Sequence, residues 1–274
     1  MALKSSPAIP SVHSAPHGPV TVITLARPEV RNAVDPATAL ALYHAMLAFE
    51  ADEQAAVAVV AGSDGCFSAG FDLACVADGS AEAWLGQLHF GERGEPPLGP
   101  MGPTRLRLSK PVIAAVAGPA VAGGMELALW CDLRVMEEDA WMGVLCRRWG
   151  VPLIDGGTVR LPRLIGTGRA LDLILTGRRV DAEECLAMGL CDRLVPRGTA
   201  LTAATELAMS LADAPQRCLR GDRASARYGG FPNETAALQA EYEAGMDALR
   251  TEAGAGARHF MHGQGRHGET PGDR

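Results

Sequence analysis

Lysine is nearly missing from this chain: of its 25 basic residues only Lys4 and Lys110 are lysines, the rest arginines. That scarcity closes one door at once. Gly118 to Gly123 has the glycine spacing of a phosphate-binding P-loop, but Gly124-Met125 stands where Lys-Ser/Thr is needed, so the cation for a terminal phosphate is lacking. No G-x-S-x-G elbow is present, which removes the sequence cue for an α/β-hydrolase serine. No G-x-G-x-x-G follows a strand, and Gly166-Thr167-Gly168 has no third glycine. Seven cysteines, an odd number with no C-x-x-C pair, argue against a disulfide framework and a structural zinc site. No metal is expected; the cysteines read as small core residues in a reducing compartment. No apolar run approaches the roughly 20 residues that span a bilayer. Met1 to Pro19 is rich in Ser, Pro and His without the apolar core of a secretory signal, so the expected location is the cytoplasm. A net charge of −7 disfavours nucleic acid and anionic membrane as partners.

What is present is an α/β pattern. Hydrophobic residues make up 47% and charged ones 21% of 274, ordinary for a globular protein with a substantial core. Val20 to Ala26, Ala56 to Ala61, Val112 to Ala117, Leu133 to Met136, Trp141 to Val144 and Leu190 to Val195 read as strands. Ala37 to Glu50 reads as a helix opened by Asp35 and Pro36, and further helices fit Gly124 to Leu129, Thr158 to Leu164, Arg169 to Thr176 and Ala182 to Met188. Gly91 to Pro103 is too rich in Gly and Pro for regular structure, and its length suits a lid or binding loop. The expected organisation is a disordered tail over 1–19, an α/β core over 20–198, a helical region over 199–262 and a frayed tail over 263–274.

Two segments carry chemistry. Val112 to Ala117 runs through Gly118-Pro119-Ala120-Val121-Ala122-Gly123-Gly124 into a helix whose first turn holds Glu126. A helix N-terminus offers unpaired N–H groups and partial positive charge, suited to an oxyanion. The competing reading is a strand–turn–helix joint whose glycines serve packing and whose Glu complements the helix dipole. Ala56 to Ala61 similarly leads into Cys66-Phe67-Ser68-Ala69-Gly70-Phe71-Asp72-Leu73. Two such turns aim two N–H groups at one oxygen and stabilise developing negative charge far better than one.

These blocks resemble the enoyl-CoA hydratase/isomerase (crotonase) family. The likeness lies in Leu25 to Ala33, Phe67 to Leu73, Ala117 to Asp132, Gly150 to Leu161, and Leu175 to Arg178 with Gly189 to Asp192, in the family's order over roughly residues 20 to 262. The resemblance implies a crotonase-like spiral of ββα repeats with a C-terminal helical oligomerisation region, assembled as a homotrimer or dimer of trimers. It implies an acyl-CoA thioester substrate and no separate cofactor, coenzyme A being part of the substrate. It assigns the oxyanion donors to the amides of Phe71 and Gly123, and substrate binding to Ala69, Gly70, Asp72 and Leu73. Arg27 and Arg31 fall in the block that commonly meets the nucleotide end. Phe260 and Arg266 are implied contacts to CoA from a neighbouring subunit.

Hydrating an α,β-unsaturated thioester needs activated water at Cβ, a proton for Cα and a home for enolate charge. The family commonly uses two glutamates, and Glu126 occupies the first one's place. An ungapped count of twenty residues onward puts Cys146 in the second's place. A thiol, with a reference pKa near ~8.5, is a poorer acid and base than a tuned carboxyl, so Cys146 reads chiefly as a small pocket-lining residue. Asp155 is the nearest replacement carboxylate, or else the cap of the helix that follows. Family branches that isomerise or dehalogenate place an Asp near here; the same count puts theirs at Ile154. Arg147-Arg148-Trp149 pairs with Asp155 or Glu126, or lies at a subunit surface. Trp84, Leu85 and Leu88 read as a hydrophobic face over the pocket. Three readings follow. Hydration of a trans-2-enoyl-CoA with Glu126 as acid/base is the expected one. Double-bond isomerisation or another enolate reaction using Glu126 and Asp155 is the second. A non-catalytic acyl-CoA-binding protein is the third.

Overall fold

Runs such as Val57-Ala58-Val59-Val60 have no polar side to turn to water, so both faces of the strand need cover. The computed structural model describes residues 10–91, 94–228 and 249–263, with 234, 235, 238, 239, 242 and 246. In it a six-stranded sheet runs in the order β1-β2-β3-β4-β6-β9, formed by β1 (Val12–His17), β2 (Val20–Leu25), β3 (Val57–Gly62), β4 (Val112–Val116), β6 (Leu133–Glu137) and β9 (Arg193–Val195). A three-stranded sheet runs β5-β7-β8, formed by β5 (Pro119–Val121), β7 (Trp141–Gly143) and β8 (Arg179–Asp181). All pairs from β2 to β9 in the large sheet are parallel, and β1 is an antiparallel edge. The helices are α1 (Pro36–Ala51), α2 (Leu73–Ala77), α3 (Ser80–Leu85), α4 (Gly123–Trp130), α5 (Gly157–Ile165), α6 (Thr167–Thr176), α7 (Ala182–Met188), α8 (Ala200–Ala212), α9 (Gln216–Tyr228) and α10 (Gly254–Met261).

Alternate residues of the sheet feed two cores, as the two-residue period of a strand requires. Val57, Val59, Ala61, Ile113, Ala115 and Val135 face α8, which offers Ala200, Ala204, Leu207 and Ala208. Ala58, Val60, Ala114, Val116 and Met136 face the other way, with Leu42, Met46 and Phe49 of α1 and Leu127 of α4. Helix α1 starts where Asp35 accepts from Thr38 N and Pro36 occupies the first turn. It ends on Lys110, whose buried Nζ donates to the carbonyls of Phe49 (2.8 Å) and Asp52 (2.6 Å). Burial pulls the Lys110 ammonium below its ordinary pKa. Twice the chain lays one strand in the large sheet and the next in the small one, β4 then β5 and β6 then β7. That alternation carries the β4–β5 joint across to the site.

Three expectations change. Part of the segment read as a disordered tail is strand β1, paired from Val12↔Leu25 to His17↔Val20. An edge strand needs backbone bonds on one side alone, so it tolerates Pro16 and mostly exposed side chains that give no apolar pattern. β5 and β8, three residues each, were not expected, because a strand that short takes its identity from its partner. Of the segment from Gly91 to Pro103, the described residues up to Gly102 form no helix and no strand of either sheet, Pro103 opens a short 3-10 helix, and the segment is pinned rather than lid-like. Tyr43 Oη donates to Pro96 O (2.7 Å), Trp84 Nε1 to Pro100 O (3.1 Å), and Gly99 and Gly102 exchange backbone bonds. Within the expected helical region residues 229–233, and at the ends residues 1–9 and 264–274, lie outside the described residues. Among the described residues no helix is long and apolar enough to cross a membrane.

Asn32 ties the exit of β2 to the turn after β3. Its Nδ2 donates to Ser63 O (2.9 Å) and Cys66 O (2.7 Å), while its Oδ1 accepts from Arg27 N (2.9 Å) and Ser63 Oγ (3.1 Å). Asn32→Asp replaces both donated bonds with a carboxylate facing two carbonyls in a buried site. The expected loss is about 3 kcal/mol or more, read as a lower midpoint in urea unfolding; an unchanged midpoint would contradict this role.

Candidate active site

The two glycine turns meet. Ser68 N donates to Pro119 O (3.1 Å) and Val121 N to Ser68 O (3.0 Å), pairing the first turn with β5 as a short parallel bridge. On its other side the first turn pairs with Val34, which donates to Gly70 O (2.8 Å) and accepts from Asp72 N (2.9 Å). Ser68 Oγ donates to Asn32 O (2.8 Å) and accepts from Gly70 N (3.1 Å), fixing the peptide before Phe71. Gly70 has φ +93, and a Cβ there would lie 2.9 Å from Gly123 N. Only glycine permits both that backbone and that approach. Ala122 carries φ 53 and ψ −127 just before α4, a costly conformation for alanine that turns the Gly123 peptide out of the strand direction. Neither the Phe71 nor the Gly123 amide donates to a protein acceptor among the described residues. Both residues line one cavity of about 660 Å³.

Glu126 enters that cavity from the first turn of α4 and is buried. Its Oε1 accepts from Asp155 N (2.9 Å) and Gly157 N (2.8 Å), so backbone on either side of Gly156 fixes the carboxylate. Asp155 lines the same cavity. It does not cap α5: Gly156 is the cap, without a side-chain bond. The Asp155 Oδ1 instead accepts from Met101 N (2.9 Å) and from the Thr104 hydroxyl. Burial raises its pKa above the ordinary carboxyl value, offset by those two bonds and by Arg105 and Arg160. Cys146 also lines the cavity, from the short helix Leu145–Trp149. Burial pushes its thiol pKa up strongly, and the nearby Glu126 charge pushes the same way. A neutral S–H therefore sits where the sequence count placed the second glutamate.

Ala69, Phe71, Asp72 and Leu73 line the same cavity, as do Arg27 and Arg31. Arg27 is committed internally. Its guanidinium meets Asp35 (3.3 Å) and Asp72 (3.1 Å) and donates to Ala33 O (2.7 Å). Asp72 also caps α2 by accepting from Ala74 N (3.1 Å), so Arg27 braces the residue next to the Phe71 amide. Arg31 is exposed, with φ 53. Of the expected hydrophobic cover, Leu85 reaches the cavity, while Trp84 is buried against Pro100. Arg148 and Trp149 line the cavity, so that cluster belongs to the site and not only to a surface. Phe260 lines the cavity of its own chain, packing edge-on against Trp149 (5.5 Å); Arg266 lies outside the described residues. Sequence reasoning missed Met101, Thr104 and Arg160, since nothing local marks a residue whose partners lie some fifty positions away.

Chemically, this is a pair of backbone donors beside a fixed carboxylate, in a largely apolar cleft whose lining also carries Arg27, Arg31 and Arg148. It suits a ligand with an anionic tail and a carbonyl that gains negative charge as a proton moves on a neighbouring carbon. Residues 16–253 match the family model described as enoyl-CoA hydratase/isomerase. A carnitinyl-CoA dehydratase of Salmonella paratyphi A is 39% identical over 203 residues, 73% of this chain and 74% of the relative. The crystal structure of carnitinyl-CoA hydratase from Mycobacterium avium aligns with a TM-score of 0.80 at 29% identity, covering 92% of this chain and 95% of that one. An enoyl-CoA hydratase from Mycobacterium smegmatis aligns at 0.73 and 30% identity, covering 89% and 100%.

Because the raised pKa keeps Cys146 protonated near neutrality, the site thiol is expected to resist alkylation while exposed Cys218 reacts. Iodoacetamide at pH 8 followed by peptide mass spectrometry is expected to label Cys218 and to label Cys146 only after unfolding. Comparable labelling of both in the native protein would contradict the assignment.

Proposed function

Because the chain belongs to the enoyl-CoA hydratase/isomerase family, we propose that it adds water to a trans-2-enoyl-CoA, and removes it in reverse, with Glu126 as the acid/base. The coarse class is a lyase that works on acyl-CoA thioesters. The observation that carries the finer reading is the placement of the Glu126 carboxylate, held by two amides, in one cavity with the unspent amides of Phe71 and Gly123. The thioester oxygen accepts from those two amides. Glu126 takes a proton from water as its oxygen bonds to Cβ, and the electron pair of the double bond moves through Cα onto the thioester oxygen. The enolate then collapses, and Cα takes the proton back from Glu126. One water is consumed and one carboxylate serves both transfers, which compensates for a neutral thiol at position 146.

Dehydration is the same path reversed, the direction for which the Salmonella relative is named. Arg27 and Arg31, which both line the cavity, are proposed to face the phosphates of CoA, Arg31 from an exposed position. Ala69, Gly70, Asp72 and Leu73 are proposed to line the thioester and pantetheine arm, with no further cofactor. A homotrimer or dimer of trimers is proposed as the assembly, supported by the exposed Leu164, Leu171, Leu175 and Leu186 on α5, α6 and α7. A cytoplasmic setting is supported by seven unpaired cysteines. A second reaction, shifting the double bond from Cβ–Cγ to Cα–Cβ as a proton leaves Cα and another is delivered to Cγ, is favoured by one feature: Asp155, its pKa raised, lines the cavity beside Glu126.

Loss of the conjugated thioester absorbance on mixing with a short trans-2-enoyl-CoA tests hydration, and its appearance with a 3-enoyl-CoA tests isomerisation. Binding of both esters without turnover would leave an acyl-CoA-binding protein. Glu126→Gln is expected to lower kcat at least ~100-fold, the scale of general acid–base catalysis; unchanged turnover would remove Glu126 from the mechanism. Cys146→Glu, supplying a second carboxyl, is expected to raise hydration over isomerisation, read as the ratio of the two rates. An unaltered ratio would mean that position 146 does not reach the reacting carbons.

A further inference from the structure

Glu126 lies on a helix, but its carboxylate is aimed by another part of the chain. The two amides on its Oε1 belong to Asp155 and Gly157, which flank Gly156 in the turn before α5. A turn of three residues does not hold its own shape in a cavity wall, and its neighbours show what does.

Arg160, on the first turns of α5 and buried, folds back across the turn. Its Nη1 donates to Asp155 O (2.6 Å) and its Nη2 to Thr104 O (2.7 Å). Thr104 in turn donates its hydroxyl to the Asp155 carboxylate, which also accepts from Met101 N (2.9 Å). The turn and the 101–104 segment are thus laced by four bonds, two from one planar guanidinium. Gly156 has φ +97, and a Cβ on it would lie 2.1 Å from Arg160 Nη1, so the guanidinium occupies the space a side chain would fill.

The same segment touches the other half of the site. A Cβ on Gly123 would lie 2.8 Å from Met101 Sδ, so the residue bonded to Asp155 also backs the Gly123 donor. One lattice therefore sets the spacing between the acid/base and the oxyanion amide. Arginine suits this task and lysine does not, because a fork of fixed geometry spans two carbonyls at once, whereas an ammonium is a single point of donation.

We infer that Arg160, with Thr104 as a second strut, is a positioning residue for Glu126: it fixes the Asp155 and Gly157 amides that orient the catalytic carboxylate and holds them in register with Gly123. The inference rests on the acid/base role proposed for Glu126 and touches no substrate atom. Removing the fork leaves substrate binding in place and misaligns proton transfer.

The test compares Arg160→Lys and Thr104→Val with the full-length parent, by steady-state kinetics and by residue-resolved amide hydrogen exchange. For Arg160→Lys, kcat is expected to fall about 100-fold with KM held within about threefold, the pattern of lost alignment rather than lost binding. Thr104→Val, which keeps shape and both backbone carbonyls, is expected to give a smaller fall of the same kind. Exchange at Asp155 and Gly157 is expected to quicken about tenfold or more in both variants while the β2–β3 ladder keeps its protection. Unchanged exchange at these two amides, or quickening spread evenly through the sheet, would overturn the inference, as would an equal loss through KM. If Arg160→Lys does not fold, Thr104→Val alone decides. If the parent turns over no enoyl-CoA, the acid/base reading fails by itself, and the exchange data still report whether Arg160 holds the turn.

Discussion

The site depends on one backbone contact: the first glycine turn pairs with β5 through Ser68 and lies against the Gly123 amide at a distance that excludes any side chain on Gly70. Two peptide groups from different strands face one point only because β3 and β4 are parallel neighbours in register, Ala58↔Val112 to Ala61↔Ala115. Parallel strands deliver their following loops to the same edge of the sheet, so two donors converge without either strand bending. Each donor is then guarded against drift. Ser68 and Val34 bracket the first turn, and the strained Ala122 sets the second.

Electrostatics in the cavity follow from burial more than from pairing. The described lining places the Glu126 and Asp155 carboxyl groups and the Cys146 thiol in one cavity with Leu85, Val121, Ile154, Trp149 and Phe260. Asp155 and Cys146 respond as buried acids do, with raised pKa. For Asp155 the sign is definite: the folded chain binds its proton more tightly than the unfolded chain. Its contribution to stability is therefore full below the unfolded carboxyl pKa and is lost as pH rises through the folded one. The bonds from Met101 and Thr104 and the nearby arginines act against that loss.

Much of this was legible in the sequence where a single segment carries the physics. The β3 and β4 runs, the glycine turns after them and the first-turn position of Glu126 are local patterns, and the family described for residues 16–253 agrees with the resemblance read from them. What stayed hidden is what other segments supply. β1 offers no apolar alternation because its edge position asks for none. Asp155 stayed open between a site carboxylate and a helix cap because the sequence does not reveal that Thr104 and Met101 reach it. The resemblance placed Arg27 with Arg31 near the nucleotide end, and nothing local reveals that Asp35 and Asp72 both meet the Arg27 guanidinium. Long-range polar partners reassign side chains whose local context is ambiguous.

The scarcity of lysine also takes on chemical meaning beside the substrate class. Acyl thioesters transfer their acyl groups to free amines without any catalyst, and a deprotonated, accessible lysine is the usual protein victim. The one lysine among the described residues, Lys110, keeps its Nζ buried against two carbonyl oxygens. Arginine supplies nearly every other positive charge and stays protonated throughout the range where such transfer occurs. A chain of a family that works on acyl-CoA thioesters thus presents them with few lysine amines to acylate.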